Sequence, residues 1–188
     1  SPIRQAIRQI ANLTIGGAFD LIHESADKEY ADLVETKIYD WHKVFDVRGD
    51  PYYWQANLRN WIAAIIRDGD VGILLTESAD GFPMVQTIPA HRIKCTDEDD
   101  RIEGGEFDGA IICNGVILSD IGRPIGYRVY NSSDDSFIDY SASDLMLWFD
   151  PEWSDQHRGI PRLASSIPDC QDIKQIRDYI KLAIKAES

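Results

Sequence analysis

Apolar residues recur every three or four positions along the first third of the chain, and the rhythm then shortens to alternation and short runs. The first rhythm predicts helices and the second strands, because side chains repeat every 3.6 residues on a helix and every two on a strand. Ile3, Ala6, Ile7 and Ile10 predict a helix that ends near Gly16-Gly17. Tyr30, Leu33, Val34, Ile38, Trp41 and Phe45 predict a second, with Ser25 or Asp27 able to cap its start. The third stripe, Trp54, Leu58, Trp61, Ile62 and Ile65, is the clearest. Asp50 is its expected N-cap, Pro51 its first helical residue and Gly69 its terminator. Two tryptophans on one helical face read as core.

From Asp70 the pattern is extended. "DVGILLTES" predicts a strand, "ADG" a turn, and "FPMVQTIPAHRIK" another extended run interrupted by Pro89. "GAIICNGVIL" sets Asn114-Gly115 between apolar residues, a strong short hairpin signal. "RPIGYRVYNS" and "FIDYSASDLMLWF" predict two more strands. The expected fold class is therefore α+β: N-terminal helices, a central antiparallel β-rich unit and a C-terminal helix. The expected divisions are residues 1–69, 70–150 and 151–188.

The last division opens on "DPEWSDQHRGIPRLASSIPDC", where Arg158-Gly159-Ile160-Pro161 interrupts regular structure. A helical segment is expected to begin near Arg162, with Pro168 and Asp169 near the start of the final helix. Ile173, Ile176, Ile180 and Ile184 then recur at helical steps until the chain stops at Ser188 without a glycine or fold-back. Such a stripe needs a partner surface, so this helix is expected to continue in the natural protein. The absence of an initiator Met suggests a processed piece.

Composition narrows the classes. Hydrophobic content of 44% over 188 residues supports a folded core. No apolar run approaches the roughly 18 residues that a membrane span needs. Cys95, Cys113 and Cys170 show neither metal spacing nor a disulfide framework, which favours a reducing compartment. A net charge of −13 argues against tight phosphate binding. The charge is uneven: residues 97–108 carry seven acids against one arginine, whereas residues 158–188 carry six Lys/Arg against four acids.

Catalytic motifs are sparse. "TIGGAF" and "EGGEF" lack the Lys-Ser/Thr of a phosphate-binding loop. "DEDD" at 97–100 lacks the alternating ligands and central glycine of a calcium loop and reads as a solvated acidic loop. Asp150, Asp155 and His157 sit in one short loop without a second ligand cluster, and His42 and His91 read as surface or interface residues. The "RGD" at 48–50 reads as a chance match, since Asp50 has the expected capping role.

The order of signals resembles a known family. "YDWHKVFDVRGDPYYWQANLRNWIAAIIRDGDVGILLTE", with its Asp68-Gly69-Asp70 junction, resembles the helix-to-strand segment of lambda-type phage portal proteins. "VQTIPAHRIK" and "NGVILSDIGRPIGYRVYN" resemble that family's strand before a Pro-Ala turn and its Asn-Gly hairpin. Gln156-His157-Arg158-Gly159-Ile160-Pro161 is similar to its Gln-x-Arg-Gly-apolar-Pro/Ser signature before a helix, and "IRQAIRQIANLTIGGAF" to its early helix. The resemblance runs nearly the whole chain in collinear order. Ser141-Ala142 and Leu147 depart from the family's usual Pro-Ala and His, and bear on the subfamily.

The resemblance implies a structural subunit, not an enzyme, with no cofactor or metal. It implies a ring of identical copies, usually a dodecamer, at one capsid vertex of the virion, assembled in the host cytoplasm. Its implied partners are itself, the terminase large subunit, capsid and head-completion proteins, and double-stranded DNA that passes without sequence-specific binding; no membrane is implied. Residues 1–69 and 70–150 would be the helical and β-rich parts of the wing, and 151–188 the turn and helix leading toward the stem, with clip and crown missing. Arg158, Gly159 and Pro161 would form the structural turn. Lys174, Arg177, Lys181 and Lys185 would be the residues nearest the DNA tunnel, unless they are simply the solvent side of their helix. Two other readings compete: an acidic α+β interaction adaptor, and a metal-dependent nuclease using Asp97, Asp99 and Asp100.

Overall fold

The computed structural model describes residues 2–17, 22–49, 53–95 and 100–186. Three helices come first: α1 (Pro2–Ile15), α2 (Lys28–Lys43) and α3 (Trp54–Asp68). Asp27 caps α2 by accepting from the Tyr30 amide at 3.2 Å, as expected. The start of α3 differs from expectation. Tyr53 occupies the N-cap position without a side-chain cap, so the helix begins at Trp54; Asp50 and Pro51 lie outside the described residues. Its end is as expected, with Gly69 at φ 96°.

Eight strands follow: β1 (Asp70–Glu77), β2 (Pro83–Pro89), β3 (Asp100–Arg101), β4 (Ile111–Cys113), β5 (Val116–Leu118), β6 (Pro124–Asn131), β7 (Ser136–Ser141) and β8 (Leu145–Phe149). They form two antiparallel sheets, ordered β2-β1-β8 and β3-β4-β5-β6-β7. The single run expected over "FIDYSASDLMLWF" is in fact two strands. A turn at Ala142–Asp144 sends β7 to the second sheet and β8 back to the first, where Leu145 pairs with Leu74 and Trp148 with Val71. Asn114 (φ 49°) and Gly115 (φ 81°) make the β4–β5 turn, both left-handed as a two-residue hairpin loop requires.

The layers follow from the faces of β1. Val71 and Ile73 point to the helices and pack with Phe45, Leu58, Trp61 and Val85. Leu74 points the other way and joins Leu145 and Ile88 of its own sheet to Val116, Tyr127 and Val129 of the second. From Asp70 to Leu74 β1 is thus covered on both faces, which explains why it reads as a continuous apolar run rather than a strict alternation. On the far side of β5, Ile117 packs with Ile112, Ile102 and Phe107 in a smaller cluster.

Helix packing is less even than the stripes imply. On α1 the buried residues are Ile7 and Ala11, while Ile3 and Ile10 are exposed. On α2 no residue is fully buried, and Tyr30 and Leu33 face solvent. The end of α2 is held instead by hydrogen bonds: Trp41 Nε1 donates to the Pro83 carbonyl at 2.6 Å, and Val47 N and Phe45 O pair with the backbone of Val85 at 3.0 and 2.9 Å.

Leu145 is fully buried between the sheets, so Leu145→Ala should lower unfolding stability by about 2–5 kcal/mol in urea denaturation. Ile121→Ala, at an 88% exposed loop position, should stay within about 0.5 kcal/mol. Burial raises the Tyr127 phenol above its ordinary value of 10.0, against the opposing pull of its backbone hydrogen bond at Leu147. The stability this confers is present below pH 10 and lost as pH rises through the raised value. Tyr127→Phe should flatten that alkaline slope.

Candidate functional site: an arginine-locked exit joint

The chain leaves the β layers at Phe149 and makes a loop that ends in Arg158-Gly159-Ile160-Pro161. Gln156 shapes this loop from within, accepting from the Glu152 amide at 2.6 Å and donating to the Arg158 carbonyl at 2.7 Å. The Arg158 side chain then reaches back into the body. Nε and Nη2 donate to the two oxygens of Asp70, at 2.6 and 3.0 Å. Nη1 donates to the carbonyls of Ile93 and Asn114, both at 2.6 Å, and Nη2 also to that of Ala90 at 3.0 Å. All five guanidinium N–H groups are engaged, in the fork geometry that lysine cannot reproduce.

Asp70 is 1% exposed, and its Oδ2 also accepts from the Gly159 amide at 3.0 Å. One buried carboxylate therefore holds both the side chain of Arg158 and the backbone of the next residue. The backbones of Gly69 and Gly159 meet here. A Cβ built on Gly159 would fall on the Gly69 carbonyl, and one on Gly69 would fall on the Gly159 carbonyl. Neither position has room for a side chain, and Gly69 additionally carries positive φ.

The joint connects elements far apart in sequence: the α3–β1 junction, the 3₁₀ turn Ala90–Arg92 that follows β2, and the β4–β5 hairpin. Arg158 and Gly159 both bond to Asp70, and Pro161 follows two residues on. The Pro161 carbonyl accepts from the Ala164 amide at 2.9 Å and opens the descent into a 3₁₀ turn, Ala164–Ser166, and then α4 (Ile167–Ala186). The helix begins later than the expected Arg162, which forms an ion pair with Asp150. The sequence marks Asp70 as the start of a strand and part of the Asp68-Gly69-Asp70 junction, not as a buried anchor. Its burial was the missing information; an Asp directly after a helix-closing Gly was its sole local sign.

Along α4, every residue from 171 to 185 is exposed. Ile173, Ile176 and Ile180 form the expected stripe, at 65%, 58% and 54% exposure. Lys174, Arg177, Lys181 and Lys185, at steps of three and four, form a row beside it. The structure brings these four onto one side of the helix and sets them apart from the Arg158 joint.

Other candidate residues fall elsewhere. Arg48 of the "RGD" turns onto Asp46, at 2.6 and 2.7 Å, and donates to Asn57 and Thr87. Thr87 also accepts from Trp61 Nε1 at 2.9 Å, so this exposed arginine covers a polar network whose Asp46 and Asn57 are buried. His42 stacks on Trp54 with ring centroids 5.4 Å apart. Asp150 faces Arg162, and no group of three potential metal ligands occurs among the described residues. Asp97, Asp99 and the Asp100 side chain lie outside the described residues. Cys95, Cys113 and Cys170 form no disulfide among the described residues. No helix among the described residues is long and apolar enough to cross a membrane.

What the geometry defines is a mechanical joint, a layered body from which an amphipathic helix projects at an angle set by buried contacts. The family model for phage portal proteins of the lambda family matches residues 1–188, and the chain belongs to that family. Its role is a phage portal role, which implies an oligomeric ring and association with the capsid. A comparison with curated proteins gives no match.

Removing one partner of a buried ion pair leaves the other charge uncompensated, typically at about 3–5 kcal/mol. Asp70→Ala and Arg158→Ala should each lose stability on that scale in denaturant unfolding. The double variant should lose clearly less than the sum, because the two share one interaction. Arg158→Lys should recover only part of the loss.

Proposed function

We propose that this chain is the wing and the first part of the stem of a portal subunit, with residues 1–69 and 70–150 as the two parts of the wing and 151–188 leading toward the stem. Copies close into a ring, in the family's usual form a dodecamer, at one vertex of the capsid. The terminase large subunit drives double-stranded DNA inward through the ring during packaging, and the DNA leaves by the same route on ejection. Capsid and head-completion proteins hold the ring from outside, and its assembly takes place in the host cytoplasm. The subunit itself performs no catalysis and needs no cofactor.

The observation that carries this reading, beside the family match, is α4: an apolar stripe exposed along its whole length and held at its base by a rigid joint. A 20-residue helix is about 30 Å long and loses its apolar surface to water unless another chain covers it. Identical copies in a closed ring supply that cover. The charge agrees, since a conduit must not grip its cargo, and a body of net charge −13 offers few phosphate contacts.

Electron microscopy of the full-length gene product, gently purified, should show rings with a central hole wide enough for duplex DNA. A monomer at high concentration would overturn the ring. Gly159→Val should abolish rings, because the added side chain drives the exit segment off Gly69. Normal rings from that variant would sink the role assigned to the joint.

A further inference from the structure

Of the apolar residues along α2, only Trp41, in its last turn, packs against a core cluster among the described residues. The segment before the helix turns onto the helix itself, His23 N donating to Glu35 Oε1 at 3.1 Å. A helix of 16 residues, about 24 Å long, is thus fastened to the body at one end. There the chain makes a tight turn, closed by the Gly49 amide on the Asp46 carbonyl at 2.9 Å. Asp46 bridges in parallel to Val85, on the outer edge of β2. Its buried carboxylate accepts from the Arg48 amide at 2.9 Å, Nε at 2.7 Å and Nη2 at 2.6 Å. Nη2 also reaches the buried Asn57 on α3, at 3.1 Å, and Thr87 on β2, at 3.3 Å. One guanidinium therefore ties the turn to both layers beside it.

We propose that Asp46 and Arg48 are positioning residues that set the direction in which α2 leaves the body. A helix attached at one end keeps a fixed direction only through contacts away from its own axis. Trp41 Nε1 on the Pro83 carbonyl is one such contact, and the Arg48 fork is the other. Close packing does not replace them, because a hollow of about 420 Å³ lies beside this end, among Trp41, Phe45, Trp54 and Pro83. Unfilled space of that size leaves the aromatic side chains room to shift. Removing the guanidinium takes away the contacts to Asn57 and Thr87 together and leaves a buried carboxylate short of two donors. The exit joint uses the same device, a buried aspartate and a forked arginine at the base of an exposed helix. For the ring, and resting on the ring reading above, a helix presented in many directions would have to be ordered at an entropic cost on assembly.

The test is a pair of spin-label distances, measured by pulsed electron paramagnetic resonance with Cys95, Cys113 and Cys170 replaced by serine. Labels at Asp32→Cys and Ala79→Cys report α2 against the body, and labels at Ala79→Cys and Ser133→Cys report the body alone. Both distributions should be narrow in the parent chain. Arg48→Ala should broaden the first and leave the second as it was. Asp46→Asn combined with Arg48→Ala removes the stranded charge, so the urea midpoint should recover while the first distribution stays broad. An unchanged first distribution in Arg48→Ala, or broadening of both pairs, would overturn the assignment. So would a return to a narrow first distribution in the double variant, because the pair would then act on stability alone. In the full-length gene product, Arg48→Ala should lower ring yield by roughly tenfold or more, the scale of a lost charged hydrogen bond. Unchanged yield would overturn the link between α2 and ring closure. An absence of rings in the unmodified protein would overturn the ring reading and leave the aiming of α2 to the distances.

Discussion

The ion pair between Arg158 and Asp70 is the constraint on which the rest of the exit geometry depends. A carboxylate 1% exposed is costly to bury, and it is retained because five directed hydrogen bonds from one guanidinium, plus the Gly159 amide, meet at the site. Those bonds run to three backbone carbonyls as well as to Asp70, so the arginine reports on the position of each surrounding element. If any of them shifts, a buried acceptor or donor loses its partner. The interaction therefore acts less as a source of net stability than as a means of allowing one arrangement.

This arrangement lies at the meeting point of the layers. β1 is covered by helices on one face and by the second sheet on the other, and Asp70 is its first residue. The return of β8 to the first sheet brings the chain back beside β1, with Phe149 paired to Asp70 in register. Gly159 can then approach Gly69 without a side chain intervening. Strand order, close glycine packing and the buried pair are thus one solution to a single problem, directing a solvent-exposed helix from a fixed point on a compact body. For a ring-forming subunit, an error of a few degrees at that point would be repeated in every copy.

Several elements were legible in the chain because their causes are local. Asp27 caps α2 and Gly69 closes α3 through their own side-chain and backbone properties, and Asn114-Gly115 makes a hairpin for the same reason. Arg158, Gly159 and Pro161 stood out as a turn, although nothing nearby showed what the turn was fastened to. The start of α3 was misplaced because an Asp-Pro pair is a good local start signal, and the helix nevertheless begins at Trp54. The break between β7 and β8 was missed because "YSASD" carries no glycine or proline, and the chain changes sheets there through Ser141 and Asp144 hydrogen bonding. On α2 the stripe was real, but tertiary packing left its Tyr30 and Leu33 uncovered.

The sequence by itself determined the fold class, most helices and turns, the exposed character of the last helix and the family, because periodicity, capping and motif order are written in neighbouring residues. Only the tertiary structure decided that Asp70 is the anchor of the exit joint, that two glycines 90 positions apart touch, and that Arg48 is tied to the buried Asp46 and Asn57. These depend on contacts between residues distant in the chain, and the free energy of a buried charge is set by which groups the fold brings around it.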